Sequence, residues 1–343
     1  MQKKINIGII GCGHWGPNFV RNFSNNPSIA EISVCDSRAE KLNHIKALYP
    51  RVKAFHNYQQ LFNAENLHAV VISTPAVTHY KITREAIKRD FHILVEKPIS
   101  VNTRQARELI SLARKRKRIL MVGHTFLYNP AVQKIREILK SKELGKIFYI
   151  HSRRTNLGPL RQDVNAIWDL SPHDISIINY ILNSSPLEVS AHAQRFLSHK
   201  LEDVGFVICK YPKNILAHIH VSWLDPKKIR ELTIIGSKKM LVYDDISAQE
   251  PIKLYDKGVM KKRYDVDYKT FKEFQLIIRE GEVSLPQVVK AEPLNIECQH
   301  FIDCVLHNKR PSTDGENGLE VLRVLEAIDS SLKNNSRKVL LRK

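Results

Sequence analysis

Lys4-Ile-Asn-Ile-Gly-Ile-Ile-Gly-Cys-Gly-His-Trp-Gly16 decides the fold. An apolar run of strand length meets Gly11-Cys-Gly-His-Trp-Gly16, and the helical pattern Asn18 to Phe23 follows, so the glycines stand in a strand-turn-helix context. In Gly-x-Gly-x-x-Gly the first glycine permits the tight turn and the second lets a pyrophosphate approach the backbone. The third lets the helix pack on the strand, with its N-terminus facing the anion. The motif alone is weak. A second run, Glu31-Ile-Ser-Val-Cys35, ends at Asp36, 20 residues beyond Gly16, where a ribose-binding acid is expected. A carboxylate there accepts from a free ribose 2′-hydroxyl and repels a 2′-phosphate, which favours NAD, while Arg38 leaves NADP open. Gly11, Gly13, His14, Trp15, Gly16 and Asp36 are the expected cofactor contacts of this part of the chain.

Working outward, Ala39 to Leu48 reads as a helix, Val52 to Phe55 as a strand and Tyr58 to Phe62 as a helical turn. Ala69-Val-Val-Ile72 is a further strand, and Ser73-Thr74-Pro75 at its end, with His79 a turn later, is expected to line the cofactor channel. The helix Thr78 to Lys88 leads to Phe91-His-Ile-Leu-Val-Glu-Lys-Pro-Ile-Ser100, an apolar strand that runs abruptly into Glu96-Lys97-Pro98. In an open parallel sheet the ligand crevice lies beyond the carboxyl ends of the strands, which puts Glu96 and Lys97 where cofactor and substrate meet. Pro98 ends the strand's hydrogen bonding and restricts Lys97 to extended geometry; a minority of such bonds are cis. Taken alone, Lys97 reads first as a solvated lysine in a strand-to-helix turn. A helix from Thr103 to Lys115 and a strand from Ile119 to Gly123 complete the alternation. Residues 1–123 are thus an α/β Rossmann domain for NAD(P), built on a doubly wound parallel sheet.

Beyond His124 the pattern changes. Helices at Pro130 to Leu139 and Ile167 to Leu182 flank a strand at Lys146 to Arg153. Closely spaced strands follow at Leu187 to Ala193, Val204 to Tyr211, Ile215 to Trp223, Arg230 to Ile235 and Met240 to Tyr243, then helices at Leu294 to His307 and Asn317 to Lys333. Residues 124–343 therefore read as an α+β domain with a large, mostly antiparallel open sheet that binds substrate and offers a face for oligomerisation.

A chain of 343 residues with 43% hydrophobic content can bury two cores. No stretch approaches the ~20 apolar residues that span a bilayer, and Met1-Gln-Lys-Lys leads straight into a strand, so a cytoplasmic protein is expected. Five scattered cysteines form no Cys-x-x-Cys pair and read as buried thiols, with neither disulfides nor a metal expected. The net charge of +19 gathers anions. Its densest run, Arg114-Lys-Arg-Lys-Arg118, ends a helix where cations complement the dipole, so an anionic small molecule explains the charge more economically than nucleic acid.

The richest polar cluster is Asn156-Leu-Gly-Pro-Leu-Arg-Gln-Asp-Val-Asn-Ala-Ile-Trp-Asp169-Leu-Ser-Pro-His173-Asp174. On a helix Asp169 and His173 share one face, and a carboxylate beside an imidazole can orient it and tune it as a general acid or base. An N-cap aspartate with an incidental histidine fits the spacing equally. A metal pair lacks a third ligand.

Gly11-Cys-Gly-His-Trp-Gly16, Thr74-Pro75, Glu96-Lys97-Pro98, Phe126-Leu-Tyr-Asn-Pro130, Asp169-x-x-x-His173 and the C-terminal Glu292-Pro-Leu, Glu297, His300-Phe301, Arg310-Pro and Asp314-Gly315 together resemble the glucose-fructose oxidoreductase/inositol 2-dehydrogenase (Gfo/Idh/MocA) family. The resemblance covers nearly the whole chain in order. It implies a Rossmann domain followed by an open-sheet domain, NAD(P) as cofactor, and dimers or tetramers formed through the C-terminal sheet. It also implies that Lys97, Asp169 and His173 carry the chemistry, with Tyr128 near the substrate. The stretch from Asn156 to Asp174 further resembles members that oxidise the C3 hydroxyl of a UDP-N-acetylhexosamine or its uronic acid. A sugar diphosphate suits the charge, with Arg153, Arg154 and Arg161 as candidate phosphate ligands and Asn156 and Asn165 for sugar hydroxyls. The expected reaction is oxidation of a ring hydroxyl to a ketone. The alternatives are an NAD(P)H-dependent ketosugar reductase, an inositol or polyol dehydrogenase and, from another class, a non-catalytic nucleotide- or nucleic-acid-binding Rossmann protein.

Overall fold

A computed structural model describes residues 4–63, 66–158, 161, 163–197, 200–259, 278–279 and 281–341. The chain divides into two compact units, Met1–Asn129 with Ala291–Arg323, and Pro130–Lys290 with Val324–Lys343.

In the first unit β1 (Ile5–Ile10), β2 (Ile29–Cys35), β3 (Lys53–Phe55), β4 (Leu67–Ile72), β5 (His92–Glu96) and β6 (Leu120–Gly123) form one parallel sheet in the order β3-β2-β1-β4-β5-β6. Helices α1 (Gly16–Ser24), α2 (Ala39–Leu48), α3 (Tyr58–Phe62), α4 (Ala76–Lys88) and α5 (Thr103–Arg116) make the crossovers. Strands covered on both faces need unbroken apolar runs, and Val70 to Ile72 and Ile93 to Val95 are wholly buried. Asparagines start two of the helices: Asn57 Oδ1 accepts from the Gln59 amide and Asn102 Oδ1 from that of Gln105. Strand order reverses between β1 and β4, the point where such sheets open a crevice.

The second unit opens with α6 (Pro130–Lys140), β7 (Ile147–Thr155) and α7 (Ala166–Leu182). Strands β8 (Glu188–Gln194), β9 (Val204–Tyr211), β10 (Ile215–Ser222), β11 (Ile229–Gly236), β12 (Met240–Asp244) and β13 (Ile252–Tyr255) follow, then the ribbon β14 (Gly258–Val259) with β15 (Ile278–Arg279), then β16 (Val283–Ser284). With β17 (Val339–Leu340) they build a nine-stranded sheet, β16-β13-β12-β11-β7-β10-β9-β8-β17, antiparallel except where β7 meets β10. Alternation along β9 and β10 buries one face against α7 and leaves Tyr149, Phe206 and Leu216 exposed on the other.

After this sheet the chain enters α8 (Pro293–His307) and α9 (Gly315–Lys333). Leu294, Cys298, Phe301 and Ile302 of α8 pack with Ile7, Phe19 and Val71 in the core of the first unit. Arg21 pairs with Glu292, and Asn295 Nδ2 donates to Asn22 Oδ1. The boundary expected after residue 123 therefore misses residues 291–323, which return to the first unit because α8 supplies apolar side chains to its core. Local periodicity identifies α8 as a helix and carries no information about which core it enters. All five cysteines are free and buried, as expected. Among the described residues no helix is long and apolar enough to cross a membrane.

Candidate functional site

The glycines after β1 separate by what they face. Gly11 has φ +98°, and a Cβ there would lie 2.7 Å from the Ser73 carbonyl; one on Gly16 would lie 2.2 Å from Gly11 O. Their smallness is dictated by the chain itself. A Cβ on Gly13 would meet nothing within 4 Å among the described residues, whose packing therefore gives no reason for this glycine. An open glycine before a helix without a side-chain cap fits a pyrophosphate laid against the backbone. His14 is exposed beside this turn, its ring 5.5 Å from half-buried Trp15.

Asp36, at the end of β2, is buried; its Oδ2 accepts from the Cys12 amide at 2.8 Å and its Oδ1 from the Arg38 amide at 3.0 Å and Nε at 3.2 Å. Burial works to raise this carboxyl's pKa, yet the Arg38 guanidinium and the two amides together hold it below its usual value. It stands ionised at the second strand end of the crevice, where a ribose hydroxyl donor suits it and where exposed Arg38 keeps a 2′-phosphate admissible.

Beyond β4, Ser73 Oγ donates to Gly11 O at 2.8 Å, Thr74 Oγ1 shares a 2.6 Å hydrogen bond with Thr78 Oγ1, and Pro75 is exposed. His79, expected as a cofactor contact, is only 1% exposed, with ring nitrogens 2.7 Å from Thr74 O and 2.7 Å from Pro98 O. It fastens the ends of β4 and β5 together instead of facing a ligand. Burial lowers its pKa and the two carbonyls oppose the shift, with Lys97 adding a smaller push downward.

Lys97 is half-buried after β5, and the Lys97–Pro98 peptide bond is cis. Its amide donates to Glu96 Oε2 at 3.1 Å. Glu96 was expected to hold cofactor, but its side chain is buried within the unit, where burial raises its pKa to about 7 against the pull of Lys97. His124, directly after β6, is buried and pushed down to about 3, first by burial and then by Lys97. Tyr128, expected near substrate, is also enclosed: its hydroxyl lies 3.0 Å from Thr313 Oγ1, and burial, then Glu297, raise its pKa well above the usual value. His124 escaped the sequence reading although it follows a strand end as Lys97 does.

In the second unit Asp169 and His173 lie on the first turns of α7 as their spacing requires, and Asn165 is the N-cap, its Oδ1 accepting from the Trp168 amide at 2.9 Å. Asn165 Nδ2 donates to Glu202 Oε2 at 2.8 Å, so this amide is occupied by the fold and not held out for a sugar. Asp169 Oδ1 accepts from Arg161 Nη1 at 3.0 Å and its Oδ2 from Trp223 Nε1 at 3.3 Å. Arg161 also pairs with Asp163, and its side chain remains 40% exposed. Asn156 folds over Gly158, where a Cβ would lie 2.2 Å from its Nδ2. Pro159, Leu160 and Gln162 of the stretch lie outside the described residues.

The pleat of β7 separates two neighbouring arginines that were both candidates for a diphosphate. Arg154 points under α7 and is buried, with Nε 2.8 Å from Asp174 Oδ2 and Nη2 3.2 Å from Asp174 Oδ1. Asp174 also accepts from Ser152 Oγ at 2.7 Å, so the pair fixes α7 on its sheet. Arg153 emerges on the opposite face, where Nη2 donates to Asp225 Oδ1 at 2.8 Å and His220 is its cross-strand neighbour. Successive residues of a strand cannot serve one ligand on one face, so Arg153 and Arg154 are not available together.

Comparisons with known proteins agree with this architecture. YrbE, an uncharacterized oxidoreductase of Bacillus subtilis (strain 168), is 27% identical over 210 residues, 60% of this chain and 62% of its own length. The UDP-N-acetylglucosamine 3-dehydrogenase of Acidithiobacillus ferrooxidans is 30% identical over 185 residues, 54% of this chain and 56% of its own length. The chain thus spans less than two thirds of the length of either relative. A solved structure of UDP-N-acetylglucosamine 3-dehydrogenase GnnA from Acidithiobacillus ferrooxidans superposes with a TM-score of 0.80 at 21% identity, covering 97% of this chain and 99% of that one, a likeness of fold. Residues 5–124 match the model of an oxidoreductase family with an NAD-binding Rossmann fold, and residues 132–242 match the C-terminal domain model of the same family. With these two models covering more than half of its length in succession, the chain belongs to the GFO/IDH/MocA oxidoreductase family.

Proposed function

We propose that this chain is an NAD-dependent dehydrogenase that oxidises a ring hydroxyl of a sugar, with C3 of a UDP-N-acetylhexosamine or its uronic acid as the substrate. The observation that carries the cofactor half is the open side of Gly13 between two glycines that the chain's own packing explains. Support for the substrate half comes from the named activity of the relative at 30% identity and from the trio Lys97, Asp169 and His173. Gly11, Gly13, Gly16 and Asp36 would hold the dinucleotide, with His14, Trp15, Ser73, Thr74 and Pro75 beside it. Bound NAD would supply the two-electron acceptor. His173 takes the hydroxyl proton, Asp169 orients the imidazole, and Lys97 holds and polarises the oxygen. Arg161, exposed in part and already paired with two carboxylates, is the remaining arginine of the three for the diphosphate. The open face bearing Tyr149, Phe206 and Leu216 is proposed to pair with a second copy.

The test is NADH absorbance on incubating the protein with NAD and UDP-N-acetylglucosamine, beside free N-acetylglucosamine, myo-inositol and a parallel series with NADP. The expected result is turnover of the nucleotide sugar with NAD. Preference for inositol would replace the substrate reading, and absence of reduction with every compound would end the dehydrogenase reading.

A further inference from the structure

Behind Lys97 the first unit buries two carboxyl groups and an imidazole that the proposed reaction leaves unused. Glu96 of β5 is 6% exposed, Glu297 of α8 0% and His124 4%. Glu96 Oε2 accepts from the Lys97 amide at 3.1 Å, and Glu297 Oε2 accepts from Thr125 Oγ1 at 2.7 Å. Three further atoms, Glu96 Oε1, Glu297 Oε1 and His124 Nδ1, are buried with no hydrogen-bond partner among the described residues. Gly123 lets the segment Gly123-His124-Thr125 run close to Glu96: a Cβ there would lie 3.2 Å from Glu96 Oε2. One short segment therefore joins a carboxyl of the Glu-Lys-Pro turn to a carboxyl from a distant helix.

Two carboxylates cannot both ionise cheaply in such a place, because burial penalises each charge and each charge penalises the other. Glu297 is raised well above its usual value, by burial and then by Glu96, while Glu96 is raised to about 7 by burial with Lys97 pulling it down. His124 stays neutral and offers no compensating charge. Tyr128 and Cys298, the other titratable groups that face Glu297, are pushed upward by burial first and then by Glu297, so they add no cation. Lys97 is the cation that acts on Glu96.

We propose that Glu96 and Glu297 form a buried two-carboxyl store that keeps at least one proton through neutral pH, so that Lys97 faces no more than one negative charge. Glu297 touches neither substrate nor cofactor in this scheme; it is a positioning residue that acts on Lys97 through Glu96. A second full charge would hold the ammonium more firmly and oppose its release of a proton. The effect on the reaction rests on the reading of Lys97 given above, whereas the retained proton does not.

Infrared difference spectroscopy of the full chain across pH, with no sugar present, tests the store. The wild-type band of protonated carboxyl should titrate in two steps, one near 7 and one higher. Glu297→Gln should leave the step near 7 alone, and Glu96→Gln should leave a single step roughly one pH unit below the upper wild-type step. Competitive acetylation of Lys97, read by mass spectrometry, should run alike in Glu297→Gln and wild type at neutral pH, because the amide stands in for the protonated carboxyl; above the upper carboxyl step wild-type Lys97 should react more slowly than Lys97 of the variant. Thermal melts of the variants check that the fold is kept. A wild-type band that is gone below pH 6, or Lys97 reacting faster in a folded Glu297→Gln protein than in wild type already at neutral pH, overturns the proposal. Because neither measurement needs turnover, failure to oxidise any sugar leaves this test standing.

Discussion

Lys97→Met and His173→Ala are each expected to lower turnover ~100- to 10,000-fold while the affinity for NAD, measured by quenching of Trp15 fluorescence, changes little. Wild-type turnover in both would remove these side chains from the chemistry. The buried groups around Lys97 also set how stability follows pH. Glu96 has a raised pKa, so its contribution is complete below the unfolded value of 4.5 and is lost as pH rises through about 7. His124 has a lowered one, so its contribution is complete above 6.5 and is lost as pH falls toward about 3. Melting curves should therefore show Glu96→Gln gaining on wild type, by on the order of 1–3 kcal/mol, as pH is raised from 4.5 to 8. A constant difference across that range would mean that Glu96 is not held protonated by the fold. The place of Lys97 at a strand end was legible because an apolar run stops at it; Glu297 as a buried group acting on Glu96 was not, since those two positions lie 201 residues apart with no local pattern connecting them.

Among the elements, the β1–α1 turn gives the sharpest contrast. Gly16→Ala brings a methyl group to 2.2 Å from Gly11 O and should displace α1, lowering the melting temperature; Gly13→Ala meets no atom of the described residues within 4 Å and should melt like wild type. Affinity for NAD should fall in both, and in Gly13→Ala without loss of stability, which calorimetry on the two variants would resolve. Undiminished NAD binding by Gly13→Ala would place the pyrophosphate elsewhere. Helices and parallel strands of the first unit were readable from glycine placement and unbroken apolar runs. The second sheet was readable only as a set of strands. Arg153 and Arg154 show why: sequence gives the alternation of a strand but not which parity lies under α7, and the buried Asp174 that claims Arg154 is known only once the register is fixed. The structural duties of Asn165 and Tyr128 were hidden for a related reason, because no local pattern shows when a polar side chain serves a helix cap or a buried hydroxyl pair.

For the molecule as a whole, a cut at the boundary the sequence suggests should be costly. A fragment of residues 1–129 lacks Leu294, Cys298, Phe301 and Ile302 and should expose the apolar surface they cover, binding a hydrophobic dye and melting without cooperativity. The same fragment joined by a flexible linker to residues 291–323 should melt cooperatively. A cooperative transition in residues 1–129 alone would make α8 an accessory to that core. The return of α8 also bears on how the chain is made. Synthesis runs from the N-terminus, so the ribosome must complete Pro130–Lys290 before residues 291–323 can emerge. The Rossmann sheet is then translated long before its core can be closed, and for that interval its apolar flank is a surface on which a chaperone can act.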